Sequence, residues 1–152
     1  MKRGIAFLAS VLALLLTVGC GAQTAPEVDA AALAQALRQQ VSFESELREL
    51  SASQLENYLV LPDGTEAYSY MSAGTTAEEI LVAKCASEDD ARTLKAAVES
   101  FLADQRQEMQ RYLPEEAARL THAVLAQKGV YVVLCVSADA QTAEQIIKEK
   151  LG

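Results

Sequence analysis

The chain has 152 residues, 51% hydrophobic and 22% charged, with 13 Lys and Arg against 21 Asp and Glu and a net charge of −8. Its basic residues are scattered, which excludes the clustered Lys and Arg that neutralise nucleic-acid phosphates. The acidic balance also opposes adhesion to anionic lipid headgroups.

Residues 5–18 form an apolar run preceded by Lys2 and Arg3 and free of acids, the layout of a secretory signal. The run is too short to span a bilayer, which takes about 20 apolar residues. Thr17-Val18-Gly19-Cys20 resembles the lipobox of bacterial lipoproteins, with Thr17 where leucine is usual. That resemblance implies cleavage before Cys20 and a diacylglyceryl thioether on its sulfur, and two acyl chains hold a protein stably at a membrane. The expected division is therefore a signal peptide over residues 1–19, a lipidated cysteine with a short tether over 20–28, and one domain over 29–152. Loss of residues 1–19 removes Lys2 and Arg3 and no acid, so the net charge falls from −8 to −10. The tether from Gly21 to Val28 reaches at most about 28 Å. It holds the domain near the extracytoplasmic face of the cell membrane.

Asp29 can cap a helix through about Gln40, with Leu33, Leu37 and Val41 along one face. A short helix is expected from Ser51 to Tyr58, then a turn at Pro62-Asp63-Gly64. Residues 67–73 ("AYSYMSA") and 79–86 ("EILVAKCA") read as strands joined through Gly74-Thr75-Thr76. A long amphipathic helix runs from about Asp89 to Tyr112, with Ala91, Leu94, Val98, Phe101, Leu102, Met109 and Tyr112 at helical spacing. Pro114 ends it and opens a short helical turn, "PEEAARL". "HAVLAQ" and "VYVVLCVS" flank Lys128-Gly129, a two-residue hairpin connection. A last helix runs from Asp139 to about Leu151.

"CASEDDARTL" at 85–94 and "CVSADAQTA" at 135–143 share Cys-x-Ser followed by Asp-Ala-x-Thr. Strand-strand-helix thus occurs twice after an N-terminal helical segment, which leaves an internal duplication open. The expected fold class is α+β: a small four-stranded, largely antiparallel sheet in order 1-2-4-3, with helices packed on it. "ILVAKCA" and "VYVVLCV" are the most continuously apolar strands and belong in its centre. The long and final helices are expected on one face, and the segment 29–61 or another chain on the other.

The lipobox-like start, "VDAAALAQALRQQVSFESELREL" (28–50), "MSAGTTAEEILVAK" (71–84), "DQRQEMQRYLPEEAARLTHAVLAQKGVYVVLCVS" (104–137) and the closing helix together resemble the bacterial lipoprotein family called domain of unknown function 4358. The resemblance implies a lipoprotein with one compact domain. It implies no activity and no catalytic residue.

The residues themselves offer little chemistry. His122 is the only histidine and makes a poor metal site without a second histidine or a cysteine pair. Cys85 and Cys135 lie among Val, Ala and Leu, which raises a thiol pKa and leaves it inert. Antiparallel neighbours would hold them about 13 Å apart, and parallel neighbours would allow a disulfide. The hairpin-rich order favours the antiparallel case, so two free thiols are expected. Glu78-Glu79 and Glu88-Asp89-Asp90 are the acidic clusters, and the second suits a helix N-terminus. Ser72, Thr75 and Thr76 have no histidine to activate a hydroxyl. Tyr68, Tyr70 and Ser72 share one sheet face and could line an interaction surface or pack under a helix. No catalytic residue, metal or cofactor is expected. The function expected is a non-enzymatic binding module at the cell envelope, partnered by the membrane through Cys20 and by an envelope protein or wall component. The alternative is a small solute-binding protein or an enzyme with a site the sequence does not mark.

Overall fold

The structure, a computed structural model, describes residues 27–152. The expected signal peptide, Cys20 and the expected tether as far as Pro26 lie outside the described residues.

Helix α1 (Ala30–Gln40) begins where the Asp29 carboxylate accepts from the Ala32 N–H, and it buries Ala30, Leu33, Ala34 and Leu37 along one side. Strand β1 (Leu47–Leu50) follows, then the single turn α2 (Ala52–Leu55). Gln54 accepts from the Ser51 N–H at 2.9 Å, which closes the start of α2. Strands β2 (Glu66–Ser72) and β3 (Glu79–Lys84) lead to α3 (Glu88–Met109). The Ser87 hydroxyl caps α3 by accepting from the Asp90 N–H, and Glu88, Asp89 and Asp90 occupy its first turn, where carboxylates are favoured by the exposed amides. Helix α4 (Pro114–Thr121) starts on its proline. Strands β4 (Val124–Lys128) and β5 (Tyr131–Val136) form a hairpin, and α5 (Ala140–Leu151) closes the chain behind the Asp139 cap.

The sheet has five strands in order β1-β2-β3-β5-β4, antiparallel throughout. The four expected strands keep their expected order. The fifth, β1, is an edge strand of four residues, two of them charged, and pairs only with β2. A strand so short shows little alternation. The hairpin turn also differs by one position. Lys128 pairs with Tyr131, so the connecting residues are Gly129 and Val130, and Gly129 adopts the positive φ of 54° that the turn requires.

The long and final helices do not share a face. One core gathers α1 and α5 against Tyr70, Ile80, Val82, Val133 and Cys135. The other gathers α3 and α4 against Leu81, Ala83, Val132, Leu134 and Val136, with Leu55 and Leu59 from the α2 region. The reason is the composition of the central strands, which is apolar on both sides. Each apolar face takes helices of its own, with α1 and α5 over Ile80 and Val133 and α3 over Leu81 and Leu134. The N-terminal segment is accordingly split, with α1 covering one face and α2 the other.

The two halves are not copies of one structure. Antiparallel neighbours related by a two-fold keep equivalent residues on one face, because a one-residue shift moves a side chain to the other side. Cys85 lies in the α3 core and Cys135 in the α1–α5 core. The aligned aspartates also differ, since Asp139 caps α5 while Asp90 lies inside α3 and accepts from the Ser87 hydroxyl at 2.6 Å.

Candidate functional site

The polar chemistry of the domain collects at the end of the sheet where β3 begins. Helix α4 places Glu116 and Arg119 three residues apart, so both side chains turn toward the connection between β2 and β3. Arg119 Nη1 donates to Glu78 Oε1 at 3.0 Å, and Nη2 donates to Glu44 Oε2 at 2.8 Å and to Glu116 Oε1 at 3.2 Å. Its Nε lies 3.0 Å from Glu116 Oε2 without the alignment of a hydrogen bond. Burial pulls the guanidinium pKa down, but the Glu44 hydrogen bond and the Glu116 charge outweigh it, and the pKa stands above its ordinary value.

Glu78 is the buried centre of this cluster, 1% exposed. It accepts from the Glu44 and Ser45 N–H groups, each at 2.8 Å. Thr76 Oγ1 stands 3.1 Å from Glu78 Oε2, 2.9 Å from Ser45 Oγ and 2.8 Å from Ser72 Oγ. Glu116 accepts from the Ala77 N–H at 2.7 Å. The loop after α1, the β2–β3 connection and α4 are thereby tied through one guanidinium and two buried carboxyls. This is a latch whose groups are already engaged with one another. Fork geometry and permanent charge suit arginine to that position.

Glu79, next to Glu78 in sequence, points to the opposite face. It is 5% exposed, and its Oε1 has no hydrogen-bond partner. Burial alone raises its pKa to about 8, so the side chain is largely protonated at neutral pH. Neighbouring glutamates thus have separate fates, Glu78 in the β2–β3 connection beside Arg119 and Glu79 as the first residue of β3.

The face shared by Tyr68, Tyr70 and Ser72 is largely beneath α1. Tyr70 is 2% exposed, accepts from Gln35 Nε2 at 3.2 Å and has the Arg38 guanidinium 4.9 Å from its ring centre. Tyr68 is half-buried and donates to Glu66 at 2.5 Å, which raises the tyrosine pKa. Ser72 joins the cluster around Glu78. The structure therefore does not gather these three residues into one open surface.

His122 follows α4 and lines a shallow groove with Glu115, Ala118, Arg119 and Ser137. Among the described residues no three His, Cys, Asp or Glu side chains are grouped to hold a metal ion. Cys85 and Cys135 are both buried free thiols. Burial pushes the Cys135 thiol up to about 12, with a partial counter-effect from Ser137, and raises Cys85 against a hydrogen bond to Thr65. No described helix is long and apolar enough to cross a membrane.

Sequence reasoning did not single out Arg119 or Glu116. Their spacing in "PEEAARL" marks one side of a helix, but their partners come from residues 44 and 78, far away in the chain. Tyr112, expected on the apolar side of the long helix, instead lies past its end, because α3 stops at Met109, and Tyr112 and Leu113 are 79% and 38% exposed. Tyr112 stands between two shallow grooves, one lined by Asp104, Gln107, Glu108 and Arg111, the other by Thr75, Leu113, Pro114 and Glu115.

No curated protein and no solved structure matches this chain. A family model described as Domain of unknown function (DUF4358) matches residues 39–137. The match runs through all five strands and through α2, α3 and α4. With well over half of its length matched, the chain belongs to the DUF4358 family of domains of unknown function.

Proposed function

We propose that the chain is a lipid-anchored domain on the extracytoplasmic face of the cell membrane, held through Cys20, that acts by binding an envelope protein or wall component and not by catalysis. The stretch from Lys2 to Cys20, with its basic start, apolar run and Thr17-Val18-Gly19-Cys20 close, carries the proposal of an anchor. The binding role is supported by what the reactive groups already do. Glu78, Glu116 and Arg119 hold one another, and both thiols of the core have raised pKa values.

Replacement Cys20→Ala tests the anchor. The variant should leave the membrane fraction or keep its uncleaved signal, and it should lose incorporation of labelled fatty acid. Normal processing with unchanged membrane retention would show that another feature holds the protein there.

A further inference from the structure

The two ends of the sheet differ, and the chain enters the fold at only one of them. The Val28 N–H donates to the Tyr131 hydroxyl at 3.0 Å, and Glu27 pairs with Lys84 at 2.8 Å. Both contacts lie where β3 ends and β5 begins. Helix α3 starts at this same end and runs back along the sheet for 22 residues, a length of about 33 Å at 1.5 Å per residue. Six residues of β3 span only about 20 Å. The C-terminal part of α3 thus overhangs the far end, and there Tyr112 and Leu113 face solvent beside Thr75 of the β2–β3 connection.

The tip is apolar at its centre and mainly acidic around it. Asp104 and Glu108 lie in the groove on one side of Tyr112, with Arg111, and Glu115 lies on the other. Among the described residues, no Lys or Arg lies within 4.0 Å of the carboxyls of Asp104, Glu108 or Glu115. In a chain that begins at Cys20, the segment to Glu27 extends only about 25 Å, less than the roughly 33 Å length of α3 between the entry end and the tip, so that segment does not reach Tyr112. An anionic bilayer would repel the acidic rim. A second copy would bring acidic rim against acidic rim, and like charges across an interface are unfavourable.

We propose that the Tyr112–Leu113 tip is a docking surface for a cationic segment of another envelope protein, whose Lys or Arg side chains meet Asp104, Glu108 and Glu115 while an apolar side chain packs on Tyr112. This rests on the lipid-anchor reading for the location of the partner, and on the structure alone for its chemistry. An aromatic ring flanked by carboxylates favours such a cation through charge and through the face of the ring. With the anchor at the opposite end, the tip is the part of the domain that reaches farthest from the bilayer.

The test uses the full-length protein in its own membrane, with a photo-crosslinking phenylalanine analogue at position 112 and, as control, at the exposed Tyr58. A protein adduct should form at 112 well above the control, and its crosslinked site should lie in a Lys- or Arg-bearing segment. The double replacement Asp104→Lys with Glu108→Lys should reduce the adduct about tenfold or more. Raising the salt to about 1 M should reduce it as well. All three positions are exposed, and an unchanged thermal midpoint verifies that each variant is folded. An adduct to phospholipid, to wall polymer or to a second copy would overturn the proposal, as would one indifferent to charge reversal or one no stronger than the control. Fractionation of Cys20→Ala reports on the anchor separately. Retention of that variant at the membrane removes the anchor reading and leaves the crosslink at 112 to stand or fall by itself.

Discussion

Arg119 is held by three carboxyls from three parts of the chain, and its own side chain is 10% exposed. Removing it leaves Glu78 buried without its counter-charge, which costs about 3–5 kcal/mol in comparable buried pairs. Arg119→Ala should therefore lower the midpoint of urea unfolding strongly. Arg119→Lys should recover only part of the loss, because one ammonium cannot reach Glu44, Glu78 and Glu116 at once. An unfolding midpoint unchanged in Arg119→Ala would show that the latch contributes nothing to stability. Glu79 makes a second prediction, in pH. Its folded pKa of about 8 lies above the ordinary carboxyl value of 4.5. The unfolded state therefore releases its proton first, so stability is fully present below about pH 4.5 and is lost as the pH rises toward 8. Glu79→Gln cannot ionise. Its stability relative to the native sequence should rise across that window, by a few kcal/mol at most, and level off above it. Thermal midpoints of both proteins at pH 4, 6 and 8 check this, and parallel curves would contradict the burial of Glu79.

At the level of elements, the register of β3 and β5 decides the fate of the cysteines. Ile80 pairs with Cys135, which leaves Cys85 five residues farther on, just past the end of β3, or about 17 Å away at the usual rise. The two thiols also belong to opposite cores. A disulfide needs Cα atoms within about 7 Å, so Cys85 and Cys135 stay reduced. Thiol counting on the Cys20→Ala variant in denaturant should find two thiols both before and after reduction. Finding none before reduction would contradict the antiparallel register. Other element-level features were readable to different degrees. The capped helices were plain in the sequence because Asp29, the acidic run Glu88-Asp89-Asp90 and Asp139 each open a helical apolar pattern, although the cap of α3 is Ser87. Strand β1 was not, because two of its four residues are charged and its pairing depends on β2.

The whole molecule is a sheet covered on both sides, with its chain entering at one end and its exposed aromatic tip at the other. Burying apolar surface on both faces of β3 and β5 leaves no bare sheet face to explain. Among the described residues, the large apolar side chains that remain exposed are local, at Tyr58 and Val60 and at Tyr112 and Leu113. The family match covers the strands and α2 to α4 but leaves out α5 and nearly all of α1. Those two helices supply the cover of one face.

By itself, the sequence determined the order and type of nearly every element, the central place of β3 and β5, and the order of the four longest strands. These follow from local causes: caps, helical spacing, glycine turns and unbroken apolar runs. Only the tertiary structure decided that α3 and α5 lie on opposite faces, that Tyr70 is core, and that Glu78 and Glu79 part company. Each of those depends on which side of a strand a residue occupies and on what a distant segment brings to that side. Arg119 shows the limit most clearly, since its partners Glu44 and Glu78 stand 75 and 41 positions away in the chain, beyond the reach of any periodicity.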